Sequence, residues 1–294
     1  MAHRLALTTV ATTFVLILFG GLVTNTGSAL AVPDWPTTFG HNMFLYPWSQ
    51  MVGGIFYEHS HRLLGSLVGL LTLALAAALW REGGRLRWLG LLAVAAVVAQ
   101  GVLGGLRVVL LKETLAIVHG CLAQAFFALA VALALLTSAR HREPARDVDP
   151  ALRTLTLVAA GLVYLQIVFG ALITHAGWIT IHLAGAATVF VFVPIVTARL
   201  RRTGDAVAAP AARVLVVLLG LQLLLGVAAF VSRFTSVWIP GGQVTMLAVP
   251  VAHRLVGSLI LAAAVVAAVR VWSPAPAVRG GARRTTPVLR LVRG

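Results

Sequence analysis

The fold is decided most clearly by residues 154–198, where 45 consecutive residues contain no Asp, Glu, Lys or Arg: TLTLVAAGLVYLQIVFGALITHAGWITIHLAGAATVFVFVPIVTA. A helix needs about 20 apolar residues to cross a hydrocarbon core about 30 Å thick, so this stretch is too long for one span and suits two. The break falls at residues 175–178, His-Ala-Gly-Trp. The stretch therefore predicts two membrane-spanning helices joined by a very tight turn.

Six other runs with little or no charge are long enough to cross a membrane. They are residues 5–23, 63–80, 88–106, 114–139, 214–232 and 255–269, the last extended upstream to 244. Only 11% of the chain is charged and its mean hydropathy is +0.96, whereas about 25% of a soluble domain is charged. These runs predict an all-α membrane protein with eight transmembrane helices.

The first run has some features of a signal peptide, because Arg4 precedes it and residues 29–31, Ala-Leu-Ala, imitate a cleavage site. Its 19 apolar residues exceed the usual 7 to 15. We therefore expect a retained first helix.

Basic residues indicate the orientation. With the amino terminus inside, 18 of the 23 Lys and Arg residues fall on the cytoplasmic side, as the positive-inside rule requires. The arginines lie in short gaps between apolar runs rather than on one soluble face, so the net charge of +15 does not indicate a nucleic-acid partner. We expect both termini in the cytoplasm, with residues 273–294 forming a disordered tail near anionic lipid.

Two patterns repeat within the chain. Residues 61–67, His-Arg-Leu-Leu-Gly-Ser-Leu, recur at 253–259 with six identities in seven positions, which favours two pseudo-symmetric four-helix halves, 1–140 and 141–272. A Gln-x-x-x-Gly pattern also recurs, and we interpret it as helix packing. Its three copies lie on the third, fifth and seventh predicted helices: Gln100/Gly104, Gln166/Gly170 and Gln222/Gly226.

Four histidines lie near the starts of the second, fourth, sixth and eighth predicted helices: His61, His119, His182 and His253. These helices all run inward, so the imidazoles are expected at one depth in the outer leaflet. The residue four places after each is Gly or Ala, one turn further on the same face, which leaves room for a flat macrocycle. Paired imidazoles bind haem iron, so two pairs would hold two haems.

Two questions about this site stay open. The sequence does not determine which histidines pair. Zinc is a rival metal, but it usually requires three or four ligands close together, and here each helix carries one histidine. The single cysteine, Cys121, excludes an intramolecular disulfide and is interpreted as a small core residue.

Charged residues beside the histidines are further candidates. Glu58 lies one helical turn before His61 near the hydrocarbon boundary, where an ionisable group marks a functional site by default. Its alternative role is an interfacial partner for Arg62 or Arg254. These two arginines directly follow a histidine and suit either haem propionates or snorkelling to the interface. We interpret His3, His41 and His141 as solvated loop residues and leave His59 and His175 without a role.

Three features together resemble the heme A synthase family. They are residues 24–40, TNTGSALAVPDWPTTFG, the Glu58-x-x-His61-Arg62 motif, and single histidines on the fourth, sixth and eighth helices. The resemblance implies oxidation of the C8 methyl group of heme O, through successive hydroxylations, to the formyl group of heme A. It implies that His61 and His119 hold the substrate or product haem, with Glu58 as the key catalytic carboxylate. It further implies that His182 and His253 hold a haem b that passes electrons.

The resemblance also implies a multi-pass protein of the plasma membrane that works with heme O synthase and the cytochrome oxidase assembly machinery, and it leaves a homo-oligomer open. Many family members carry cysteine pairs in two outer loops. Here Val32 and Thr38 stand near where the first cysteine pair would lie, and only a few residues around Gly177 remain of the second loop. A thiol-based step is therefore in doubt. The alternatives are a di-haem b-type electron-transfer cytochrome and a haem-handling assembly factor.

Overall fold

A computed structural model describes residues 1–143 and 148–273. Within these residues eight helices are long and apolar enough to cross a membrane, as predicted. They are α1 (Ala2–Asn25), α2 (Gly54–Glu82), α3 (Gly84–Leu110), α4 (Glu113–Leu136), α5 (Pro150–Ala176), α6 (Ile179–Arg202), α7 (Ala208–Phe234) and α8 (Gln243–Trp272). The fold is thus all-α, and a one-turn helix, Ala139–Arg142, follows α4.

The tight turn predicted between the fifth and sixth helices is confirmed. Helix α5 ends at Ala176, Gly177 takes a left-handed conformation with φ of 74°, and α6 begins at Ile179. A glycine adopts this conformation without the Cβ clash that other residues suffer.

Helix α2 begins at Gly54, earlier than the apolar run at 63–80 suggested. The polar residues between Glu58 and Arg62 shortened that run, yet they are helical and lie under the segment between α1 and α2. Glu58 and His61 therefore occupy one continuous helix in its second and third turns. The predicted orientation makes this end of the helices the outer end and the opposite end the inner end, and the two names are used in that sense below.

The helices pack as two groups of four, α1–α4 and α5–α8, each with its own apolar core. Helices α1, α4, α5 and α8 meet between the groups, and α8 is the most buried of the eight. The seven-residue repeat falls on α2, the second helix of its group, and on α8, the fourth helix of the other. It therefore does not relate the groups helix by helix in chain order, and the symmetry of the two halves stays a prediction.

At the inner end a buried ion pair joins the second group to the segment between the groups. The Nε of Arg270 lies 3.0 Å from a carboxylate oxygen of Asp205, and its NH1 donates to the carbonyls of Arg140 and Glu143. The same carboxylate accepts the amides of Val207 and Ala208 at the start of α7. The predicted domain boundary at 140/141 lies in this network, and the predicted tail lies outside the described residues beyond Ser273.

The helix surfaces that face away from the rest of the bundle expose many large apolar side chains, as contact with lipid requires. All seven tryptophans are exposed at or beyond helix ends, the positions of an interfacial aromatic belt. The chain is a multi-pass membrane protein.

Candidate functional site

The four even-numbered helices bring their histidines together in two pairs. The ring centroids of His61 on α2 and His119 on α4 are 6.4 Å apart, with 68° between the ring planes. Those of His182 on α6 and His253 on α8 are 6.3 Å apart, at 64°. An imidazole nitrogen binds a metal at about 2 Å and lies about 1 Å from its ring centre, so two rings on one metal ion have centres about 6 Å apart. Both pairs match that spacing.

Each of the four rings packs edge-on against a glycine of the preceding helix. A Cβ added to Gly20 would lie 3.1 Å from Cε1 of His61, and one added to Gly226 would lie 3.2 Å from Cε1 of His253. The matching distances are 3.4 Å from Gly104 to His119 and 3.5 Å from Gly170 to His182. Because a side chain at these positions would push the imidazole away, the glycines set where the rings stand.

The glutamines of the Gln-x-x-x-Gly pattern contact the same histidines. Gln166 donates to the carbonyl oxygen of His182 and lies 3.2 Å from its Nδ1. Gln222 lies 3.2 Å from Nε2 of His253, and Gln100 donates to the carbonyl of His119. The pattern packs helices against each other, as interpreted from the sequence. It does so at the site itself, because each glycine contacts an imidazole ring and each glutamine hydrogen-bonds the same histidine.

The first pair has more open space beside it than the second. Leu16 stands four residues before Gly20, so no glutamine precedes the glycine that faces His61. A Cβ on Gly65, one turn after His61, would meet no atom within 4 Å, whereas one on Gly257, one turn after His253, would lie 3.6 Å from Nε2 of Gln222. The two pairs therefore share ligand spacing and differ in the room around it.

The donor set fits a porphyrin iron. A backbone carbonyl of the preceding helix lies within hydrogen-bonding range of each ring of the first pair, that of Leu16 for His61 and that of Gln100 for His119. One ring nitrogen can be held in this way while the other binds a metal. A porphyrin supplies four nitrogens to its iron, so two imidazoles complete the coordination. Across the described ranges no three His, Cys, Asp or Glu side chains converge on one point, so the zinc alternative has no ligand cluster there.

Glu58 is buried and bonded to the outer segment between α1 and α2. One carboxylate oxygen lies 2.7 Å from NH2 of Arg62, and the other accepts the amides of Leu30 and Val32 at 2.9 and 3.0 Å. The sequence left Arg62 and Arg254 as possible partners of Glu58, and the structure pairs Glu58 with Arg62. The carboxylate fastens residues 30–32 to α2, one turn from His61.

Arg62 is engaged with the same segment. Its NH1 donates to the carbonyls of Asp34 and Thr37, and its NH2 donates to that of Val32 as well as to Glu58. All four terminal N–H groups are used in this way. These contacts favour a role in fixing the segment over the pairing with propionates suggested by the sequence.

The Pro-Asp-Trp-Pro segment is a tight loop around Asp34. Burial alone would raise the pKa of Asp34, but hydrogen bonds from the Gly40 amide, the Thr37 hydroxyl and the Phe39 amide lower it to about 2. The next residue, Trp35, lies against Gly105, where a Cβ would overlap the indole ring. Gly105 adjoins Gly104, the glycine that faces His119, so the indole contacts α3 at the same level as the first histidine pair.

Besides Arg62, the cations Arg254 and Arg107 lie near the histidine pairs. The NH1 of Arg254 would lie 3.8 Å from a Cβ on Gly21, so this side chain reaches from the second helix group to α1 of the first. Arg107, on the last turn of α3, lies within electrostatic range of both His61 and His119. The sequence interpretation missed Arg107, whose only signal was its place among the five outer basic residues.

The other histidines lie outside the two pairs. The interpretation of His3 as a solvated loop residue was wrong, because it lies on α1 with Nδ1 3.0 Å from the carbonyl oxygen of Ala134. It was wrong for His141 as well, which lies on the one-turn helix, where burial and the nearby Arg270 lower its pKa. His41 is exposed, as expected. His59 is buried against Tyr46 and Thr38, and His175 lies 2.8 Å from Glu113.

Fold and site together define an eight-helix membrane protein with two paired-histidine sites in its outer half. Residues 3–180 match the family model described as cytochrome oxidase assembly protein, and the chain belongs to this family. The matched range contains the Glu58–Arg62 motif and the first histidine pair and ends before His182.

Similar proteins include heme A synthases from three bacteria. The chain is 30% identical over 180 residues to that of Shouchella clausii, an alignment covering 58% of each chain. It is 30% identical over 167 residues to that of Staphylococcus haemolyticus and 31% identical over 201 residues to that of Beijerinckia indica, with 54% of each chain covered in both cases. The chain thus spans a little over half the length of these relatives.

Proposed function

We propose that this protein is a heme A synthase, a membrane oxidoreductase that converts the C8 methyl group of heme O to the formyl group of heme A. The observation that carries the proposal is the presence of two histidine pairs, each with the spacing that one iron requires, and of a buried carboxylate one helical turn from His61 in the first pair. Membership of the cytochrome oxidase assembly protein family and the names of the relatives support it.

The first pair, His61 and His119, is assigned to the substrate or product haem. A substrate has to enter, turn over and leave, so its site needs space, and the open position beside Gly65 supports this assignment. The second pair, His182 and His253, is assigned to a resident haem b. There Gln166 and Gln222 contact the imidazole rings directly, and such contacts keep ligand rings in one orientation.

When bound, the haem irons supply the redox chemistry, and the chain positions the reacting groups and controls access of water. His61 and His119 orient the substrate from opposite faces. Trp35 packs against Gly105, next to the glycine that faces His119. Arg254, which crosses between the helix groups beside His253, is retained as a candidate contact for the second haem.

Glu58 is the proposed catalytic carboxylate. Arg62 and two backbone amides occupy three of the roughly four lone-pair sites that a carboxylate offers, which leaves one for proton transfer. The buried partners fix this carboxylate relative to His61. Arg62 acts as a positioning residue.

The cellular setting follows from this function. Heme O is the proposed substrate, delivered by heme O synthase, and the product serves the assembly of cytochrome oxidase. The plasma membrane is the proposed location, with both termini in the cytoplasm, since most basic residues lie at that end of the helices. Self-association is left open.

One alternative has an observation in its favour. The two pairs have nearly equal spacing and ring angle, as expected of a di-haem b-type cytochrome in which both haems only carry electrons. Glu58 distinguishes the two functions, because an electron carrier does not need a buried carboxylate beside one haem.

The experiment is expression with a heme O supplier in a host lacking its own heme A synthase, followed by extraction and chromatography of the haems. The proposal predicts heme A. In E58A it predicts loss of heme A, with normal protein and haem b content. If the wild-type protein yields only heme O and haem b, the enzyme proposal fails and the electron carrier is favoured.

A further inference from the structure

A cavity of about 310 Å³ lies between the two helix groups at their outer ends. Its walls come from both groups, namely the end of α1, the turn between α3 and α4, and the ends of α5 and α7. It lies beyond the histidine layer, and none of the roles described so far uses it.

Positive charge dominates the lining. Arg107, Lys112 and Arg233 line the cavity, against one carboxylate, Glu113, which is bonded to His175. Arg233 donates to the side-chain oxygen of Asn25 across the groups. The side chains of Arg107 and Lys112 have no hydrogen-bond or ion-pair partner within residues 1–143 and 148–273. Together these groups favour an anionic ligand.

The two cations of the cavity that have no partner among the described residues, Arg107 and Lys112, lie on the outer side of the first histidine pair. Arg107 follows Gly104, the glycine that faces His119, by three residues, so it is on the same face of α3 about 4.5 Å nearer the outer end. Lys112 precedes His119 by seven residues, or two turns of α4. A macrocycle bound between His61 and His119 lies across the line joining their rings, so one of its edges faces the outer end.

We propose that this cavity binds the propionate carboxylates of the haem held by His61 and His119, with Arg107 as the principal contact and Lys112 and Arg233 at the rim. The inference rests on the proposed function and identifies a part of that site. Guanidinium groups bind carboxylates through paired charge-assisted hydrogen bonds, which suits an edge carrying two carboxylates. The site would set the orientation of the macrocycle, and hence which methyl group faces the catalytic machinery.

The test compares iron protoporphyrin IX with its dimethyl ester, which lacks both carboxylates. Each is titrated by absorbance into the purified, haem-depleted full chain in detergent. The binding step that disappears in H61A identifies the first pair. In that step the wild-type protein should bind the diacid at least about tenfold more tightly than the diester, because a hydrogen bond to a charged group changes affinity by about 10- to 100-fold.

The decisive variant is R107Q, and its matched control is R87Q at the exposed inner end of the same helix. R107Q should remove most of the preference for the diacid and leave diester binding unchanged, which also shows that the variant is folded. R87Q should bind both probes as the wild-type protein does.

Three results would overturn the inference while leaving the proposed function standing. One is equal binding of diacid and diester by the wild-type protein. Another is a parallel loss of both in R107Q, which would make Arg107 merely structural. The third is binding of inorganic phosphate that depends on Arg107 and does not compete with the diacid, since the cavity would then take a free anion. Failure of the chain to bind either porphyrin would overturn the proposed function and this inference together.

Discussion

Replacing Glu58 with alanine should release the outer segment from α2 without unfolding the helices. The substitution removes a 2.7 Å ion pair with Arg62 and two hydrogen bonds from the amides of Leu30 and Val32. Side-chain exposure is only 10% for Arg62 and 7% for Glu58, so the guanidinium is left buried without its counter-charge. Breaking a buried pair costs roughly 3–5 kcal/mol. The cost falls on the closure of this segment, because the helices pack independently through their apolar cores.

Hydrogen exchange read by mass spectrometry measures this local opening. A loss of 3–5 kcal/mol corresponds to exchange roughly 150- to 5,000-fold faster at the amides of residues 30–40, with the helical peptides unchanged. The matched control is E113A, which removes a carboxylate that is 69% exposed and also bonded to a side chain, that of His175. An exposed pair contributes less than about 1 kcal/mol, so exchange near position 113 should rise about fivefold at most.

The outcome separates two roles of Glu58. Exchange at residues 30–40 that stays at the wild-type rate in E58A would refute the anchoring role derived from these contacts. An equal rise in both variants would refute the importance of burial. If E58A opens the segment and E58D closes it again without restoring heme A, then closure and catalysis are separate functions of this residue.

Three further predictions concern other parts of the chain. G226V should lower the absorbance of the second haem, because a Cβ at 226 already lies 3.2 Å from the His253 ring, whereas G220V, on the same helix with nothing within 4 Å, should not. Protection of the Asp34 loop from hydrogen exchange should persist at neutral pH and be lost as the pH falls from about 4 to 2. The reason is that a pKa lowered to about 2 stabilises the folded loop fully only above the ordinary value of 3.8. D34N should show no such loss of protection, and an acid step retained in D34N would contradict the assignment. R270L should lower the thermal midpoint by about 10 °C, because its carboxylate partner stays buried, and an unchanged midpoint would mean that this network contributes little to stability.

The fold was accessible from the sequence because its determinants are local. Each span is a run of apolar residues, and the two-residue turn at Gly177 separates two such runs. The contact within each histidine pair is consistent with one depth for its two rings, which was expected from their places near the starts of helices that all run inward. The features that the sequence did not reveal are contacts between residues that are far apart in the chain.

The contacts around the histidines illustrate this limit. Gly20 faces His61, 41 residues away, and the Gln-x-x-x-Gly pattern did not reveal it because Leu16 stands in the place of the glutamine. The partners of Glu58 are backbone amides of an irregular segment, which carries no periodic signal. The pairing of histidines within each helix group was implied by the family resemblance but not by the residues themselves, because it depends on how the helices pack.

The central claim is that each histidine pair binds one haem, and it is tested most directly by counting and identifying the haems that each pair retains. The wild-type protein and two double variants, H61A/H119A and H182A/H253A, are purified from a host supplied with heme O, and their haems are extracted, identified and related to protein content. We expect two haems per chain in the wild-type protein, haem b alone in H61A/H119A, and heme O or heme A alone in H182A/H253A. A colourless wild-type protein, or two double variants that keep the same haem, would contradict it.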